Sequence, residues 1–219
     1  MNGTMIQLLV LAGIAIFLIL KLRSILGTRE GFEKPPIPLD QLRPSKPSDT
    51  GVSEDGKDRD IIDHVPEGSE SAKALAEMKK IEPSFAVTPF LEGARGAYEM
   101  ILMAFERGDL ESIRSFLSDE VEESFAEAIQ ARARDGLTVE ASFLGFKDLG
   151  LEEATLNPDT KMAEVSVRFV AEQTYLVRNK AGEVVEGSPR EIKRDRDVWT
   201  FARQMGSSDL NWQLVATGD

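Results

Sequence analysis

The sequence predicts an α+β protein in which helices pack on a curved antiparallel sheet, with one transmembrane helix ahead of the domain. Three observations lead there. Residues 5–20 are apolar throughout apart from Gln7. The stretch that follows, to about Gly68, is rich in proline and charge. From Phe85 onward the apolar residues first recur at three- and four-residue steps and then, after Gly136, at every second residue. Helices first and alternating strands afterwards make an α+β plan, and a two-layer arrangement of that kind often encloses an apolar cavity.

The first element is the apolar run. Taken as a helix from Thr4 to Leu22 it would be roughly 28 Å long, close to the hydrocarbon thickness of a bilayer. A cleaved signal peptide carries its basic residues before the apolar run and small residues after it. Here Asn2, Gly3 and Thr4 are uncharged, and Lys21, Arg23 and Arg29 stand on the far side. No amphipathic face marks the run as a buried core helix. The expectation is a single-pass anchor over residues 4–22, flanked by Lys21, Arg23 and Arg29. The positive-inside rule puts the N-terminus outside and the body in the cytoplasm, or in the matrix of a mitochondrion.

Residues 23–68 read as a disordered linker. Pro35, Pro36, Pro38, Pro44, Pro47 and Pro66 interrupt helix and strand, and residues 53–60 are mostly charged. Such a segment is a spacer or a docking segment, with Ile37, Leu39 and the pair Ile61-Ile62 as its apolar points. His64, the single histidine, has no second histidine to share a metal. With no cysteine in the chain there is no disulfide framework and no thiolate zinc site. The net charge of −12 argues against nucleic acid and against broad adhesion to anionic lipid.

A short helix follows over residues 69–82, with Ser69 or Ser71 as its cap and Lys79 and Lys80 near its end. Leu75, Met78 and Ile81 give it an apolar stripe for the domain or for a partner. The domain proper is residues 83–219. Phe85 to Arg107 reads as an amphipathic helix that Gly108 ends, with Gly93 and Gly96 marking close packing or a bend. Asp109 caps a second, short helix bearing Leu110, Ile113, Phe116 and Leu117. Ser118 caps a third, with Val121, Phe125, Ala128 and Ile129 on its buried stripe and Gly136 as a left-handed end.

Strands are expected over residues 138–149, with a bulge at Gly145, and over 163–171 with a continuation to Arg178. A turn at residues 180–183 leads to a long strand from Arg190 to Arg203. A last strand over 211–217 puts Trp212, Leu214 and Ala216 on one face.

The phrases Ala94-Arg-Gly-Ala-Tyr98, Ile101-Leu-Met-Ala-Phe105 and Gly108-Asp109-Leu110, with Asp197-Val-Trp-Thr-Phe201 and Asn211-Trp-Gln-Leu-Val-Ala-Thr217, carry a resemblance. Together they resemble the domain of the mitochondrial inner-membrane translocase's motor tether, the Tim-forty-four-like domain, in its shorter bacterial form with an N-terminal anchor. The resemblance covers residues 85–217. It implies an α+β cone related to the cystatin-like and nuclear-transport-factor-like folds. It also implies a non-enzymatic role at the bacterial inner membrane: an adaptor or scaffold binding protein partners, such as translocase or chaperone components, in protein translocation or membrane-protein handling. The mitochondrial protein's long chaperone-docking segment has no counterpart here, so chaperone binding is not carried over.

The alternatives are a tethered domain for lipid or a small apolar ligand, and a cone-fold enzyme. Phe105, Phe125, Phe143, Phe169, Trp199 and Phe201, with Tyr98, either line such a pocket or form the core. An isomerase would need a carboxylate base and an oxyanion donor, and only Tyr98 and Tyr175 are tyrosines. No phosphate loop, metal-spaced carboxylate set or Ser-His-Asp set appears. No catalytic residue, metal or cofactor is expected. Residues 190–197 are dense in both charges, and Arg190, Lys193, Arg194 and Arg196 mark either a docking strand or a solvated face.

Overall fold

The computed structural model describes residues 58–218. The anchor at 4–22, its flank Lys21, Arg23 and Arg29, and the linker up to residue 57 lie outside the described residues. Among the described residues no helix is long and apolar enough to cross a membrane.

The end of the segment read as linker is folded. Helix α1 (Arg59–Ile62) is capped by the Asp58 side chain, which accepts from the Asp60 amide at 3.1 Å. Ile61 and Val65 are buried in the core. Three apolar side chains within five residues are enough to dock the segment once a neighbouring surface exists, and composition averaged over a longer window hides them. Helix α2 (Glu70–Ile81) is capped by Ser69, whose hydroxyl accepts from the Ala72 amide at 3.1 Å. Its stripe turns inward: Leu75 and Met78 are fully buried, each contributing about 1.5–3 kcal/mol by the area they remove from water, and Ile81 is partly buried against the core. The helix is thus part of the domain, and its apolar face is not left for a partner.

Helix α3 (Val87–Arg107) runs unbroken through Gly93 and Gly96. A Cβ at either glycine would meet nothing within 4 Å, so neither serves close packing. Phe90, Leu91, Ala94, Tyr98, Ile101 and Ala104 face the sheet. The expected second helix is instead a turn and a single 3-10 turn (Arg114–Phe116), which still buries Ile113 and Leu117. Helix α4 (Asp119–Asp135) is capped by Ser118 as expected, but only Val121 of its stripe is buried and Ala128 is exposed. It lies at the periphery. Gly108 and Gly136 close α3 and α4 in the left-handed conformation that favours glycine, at φ 74° and 67°.

Four strands form one antiparallel sheet in the order β1-β2-β3-β4: β1 (Thr138–Leu156), β2 (Met162–Arg178), β3 (Val184–Gln204) and β4 (Gln213–Gly218). Alternation on β2 holds from Ala163 to Phe169, with Ala163, Val165, Val167 and Phe169 fully buried beneath the helices and Glu164 exposed on the other face. It ends at Val170, which is buried although it follows Phe169. The register of β1 shifts between Phe143 and Gly145, where the bulge was expected, and twice more after it. A further shift on β4, between Phe201–Leu214 and Thr200–Ala216, leaves Val215 unpaired. That extra residue breaks the alternation. Leu214 is buried while Ala216 is exposed, contrary to the expected common face.

Candidate functional site: an aromatic groove beside a sealed core

The aromatic residues separate into three groups. Tyr98 stacks on Phe169 at 4.5 Å between centroids and lies 4.5 Å from Trp199, with Phe146 at 5.4 Å and Phe143 at 6.3 Å. Tyr98 and Phe169 are fully buried and Trp199 nearly so, with Phe143 and Phe146 partly buried against them, so this group belongs to the core. Phe105 and Phe125 pair with each other at 4.6 Å between α3 and α4, under the Arg132 guanidinium, apart from the rest. Of the seven residues read as a pocket, Phe201 lines an open cavity and the other six do not line that one.

That cavity is an open groove of about 470 Å³ between the start of α3 and the chain leading into β4. Phe85, Phe90 and Gly93 form one wall, and Phe201, Leu210 and Trp212 the other. The Phe90 ring meets Trp212 edge-on at 4.7 Å and Phe201 at 6.2 Å, and Phe85 stands 6.0 Å from Trp212. Leu210 on the rim is 66% exposed. The bare Gly93 keeps the groove wide, since a side chain there would project into space now empty. In sequence, Phe90 belongs to the helical stripe and Trp212 to the last strand. Their meeting depends on the loop from 205 to 212, which no periodicity describes.

The polar groups in the groove are already engaged. Arg203, 6% exposed, donates from Nη2 to Glu82 Oε1 at 2.9 Å and lies over the Trp212 ring at 5.2 Å. The other Glu82 oxygen accepts from the Gly206 amide at 3.3 Å. Burial works to raise the Glu82 carboxyl, but the Arg203 and Gly206 hydrogen bonds outweigh it and hold it below the usual range. The Arg203 Nε is buried without a hydrogen-bond partner. A carboxylate and a tyrosine do meet elsewhere: the Tyr98 hydroxyl donates to Asp197 Oδ2 at 2.5 Å. Burial first, and then the Asp197 carboxylate, push this phenol well above its ordinary value. It stays protonated as a strut between α3 and β3, its ring fully buried among Phe143, Phe146, Phe169 and Trp199.

The charged strand is exposed along β3, and before Val198 β2 is its one strand partner among the described residues. Lys193 pairs with Asp195 at 2.8 Å and Arg194 with Glu172 at 2.8 Å. Arg190 and Arg196 have no carboxylate partner among the described residues. Sequence reading missed two contacts that shape the groove. One is Glu82–Arg203, separated by 121 positions. The other is the Asp60 carboxylate, which accepts from the Val87 amide at 2.7 Å and the Thr88 amide at 3.0 Å. Asp60 lay within a charged run that looked like linker.

Comparison with known proteins bears on the whole domain. TIM44-1 of Arabidopsis thaliana, a mitochondrial import inner membrane translocase subunit, is 22% identical over 159 residues, covering 73% of this chain and 33% of that protein. Human TIM44, of the same description, is 24% identical over 161 residues, covering 71% of this chain and 35% of its own length. The chain therefore spans about a third of these relatives. Among solved structures, the intermembrane space region of the chloroplast protein ARC6 aligns with a TM-score of 0.34 at 14% identity, over 66% of this chain and 94% of that one; at that score the likeness carries no argument. The family model for the Tim44-like domain matches residues 71–219. The chain belongs to the Tim44-like domain family.

Proposed function

We propose that the chain is a membrane-anchored adaptor whose domain holds protein partners through the groove, in protein translocation or the handling of membrane proteins. Residues 4–22 span the bacterial inner membrane with the N-terminus outside, and Lys21, Arg23 and Arg29 mark the cytoplasmic side on which the domain lies. One observation carries the reading: an open, aromatic-walled groove whose charged groups are already paired with each other. Such a surface offers contact area and few degrees of freedom to freeze, which suits binding, and it offers no free acid or base for catalysis. The names of the relatives, translocase subunits at a membrane, agree with it.

The test is photo-crosslinking in cells from Leu210 and Ser84 at the groove, and from Arg190 and Arg196 on β3, in the full chain. A discrete protein captured from the groove positions, and lost when Leu210 is changed to Ser, is the expected outcome. Leu210→Ser should leave stability within about 0.5 kcal/mol, as its side chain is mostly in solvent. Capture of lipid alone would overturn the adaptor reading. It would favour the second one, an apolar ligand, which rests on a cavity volume within the usual range for small-molecule sites. Native mass spectrometry of the purified protein would then show that ligand.

A further inference from the structure

Helix α3 forms one wall of the groove and has no means of its own to finish its N-terminus. Its first residues are Val87, Thr88 and Pro89. Proline has no amide hydrogen, so the unsatisfied donors of the first turn are Val87 and Thr88. Ala86 at the cap position offers no side-chain acceptor, and the first turn holds no acidic residue. Both donors are received by the two oxygens of one carboxylate, that of Asp60. Lys79 holds this carboxylate in place, its Nζ 2.7 Å from Asp60 Oδ2 and 2.7 Å from Asp58 Oδ2. His64 Nε2 lies 3.0 Å from the Thr88 hydroxyl. Ile61 and Val65 sink into the core beside these contacts.

The residues flanking the capped amides, Ala86 and Pro89, line the groove, as do Phe85 and Phe90. Asp58, where the described chain begins, is therefore joined to the groove wall by consecutive polar contacts. The contact lies upstream of the part that the family model matches, which starts at residue 71.

We infer that residues 58–65 act as a brace that controls the groove. While the Asp60 carboxylate is seated, α3 begins at Val87 and its aromatic wall is fixed. When it is unseated, two amides lose their acceptor, the first turn of α3 unwinds and Phe85 and Phe90 move away from Trp212. A pull on the chain at Asp58, or a partner that competes for Asp60, thereby reshapes a binding surface it does not touch. The inference concerns the state of the groove and holds whichever occupant the groove has.

The experiment is hydrogen exchange by mass spectrometry on the full chain, read together with Trp212 fluorescence. Trp199 is sealed in the core and supplies a constant background. Asp60→Asn should speed exchange of the amides in 87–92 by roughly five- to tenfold, the size of a lost helix cap. It should also shift tryptophan emission to the red. Ala86→Asp in the same chain should reverse both changes, since Ala86 already has the extended backbone of a capping residue, at φ −139° and ψ 143°. Glu77→Gln, which removes an exposed ion pair with Lys80 on α2 away from these contacts, should alter neither. The inference is overturned if Asp60→Asn folds with exchange in 87–92 unchanged, or if exchange rises while emission stays fixed. Should Asp60→Asn fail to fold, the Asp60→Asn/Ala86→Asp double variant decides. Its folding with parental exchange supports the brace, and its failure assigns Asp60 to folding at large.

Discussion

Two aromatic clusters share helix α3, and only one of them is closed. Around Tyr98, rings from three strands converge on the helix and leave Tyr98 and Phe169 no exposure. Eight to thirteen residues earlier in the chain, Phe85 and Phe90 face Phe201 and Trp212 across an open groove. The chemistry is the same and the scaffolding differs. Strand alternation points a side chain at the helix from about every second position on neighbouring strands, so gaps fill. Where α3 overhangs the loop between β3 and β4, no pleat dictates spacing, and bare Gly93 stands where a side chain would fill the gap. The closed cluster holds the helix on the sheet, and the open one is available for contact.

The sharpest way to break this contrast is Phe169→Ala. It removes a fully buried ring stacked on Tyr98 and should cost about 3–5 kcal/mol in a denaturant titration. If the closed cluster is only a support, crosslinking from the groove should persist wherever the variant remains folded. Glu82→Gln acts at the other cluster. It strands a guanidinium 5% exposed in its side chain, at a cost of about 3 kcal/mol, and should loosen the loop at Gly206. A cost below 1 kcal/mol would show that the Glu82–Arg203 pair does not set the groove floor. Tyr98→Phe keeps the ring and removes the bond to Asp197, so it should cost about 1–2 kcal/mol and leave the groove unaltered.

Acid stability sharpens the comparison further, at about 1 kcal/mol. Burial opposes ionisation of Asp60, but Lys79 and the Thr88 and Val87 amides outweigh it and bring the carboxyl from 3.8 to about 2. A carboxyl with a depressed folded-state value contributes fully above its unfolded value and loses that contribution as pH falls through the folded one. Stability should therefore fall between about pH 4 and pH 2, and Asp60→Asn should flatten that part of the profile. An unchanged acid limb would remove Asp60 from the account of the groove wall.

Much of the fold was legible in the sequence. Ser69 and Ser118 cap the helices that follow them, and the change of period after Gly136 marks the turn from helix to strand. The phases that failed did so for a local reason. One extra residue at Val215 set Ala216 outward, and the peripheral seat of α4 left Ala128 in solvent. The candidate site was harder to read. Phe201 stands in the sequence only as one of a set of aromatic residues that line a pocket or form the core, and Trp212 only as a residue on one face of the last strand. Asp60, Glu82 and Arg203 act across 27 to 121 positions. Composition treats an acidic residue beside other charges as solvated, and only the placed helix end shows that Asp60 has amides to satisfy.

The sheet order bears on how the molecule is made. Every strand pairs with the one synthesised just before it, so β1, β2 and β3 can assemble as successive hairpins while the chain emerges. The groove cannot. Its second wall comes from residues 201–212, and β4 is seated by the Ser118 amide bonding to the Leu214 carbonyl at 2.9 Å, across 96 positions. A nascent chain stopped before residue 205 would hold the rings around Tyr98 and would present Phe85 and Phe90 to Phe201 with Leu210 and Trp212 still missing from the opposite wall. Translation thus completes the structural support before the surface it carries.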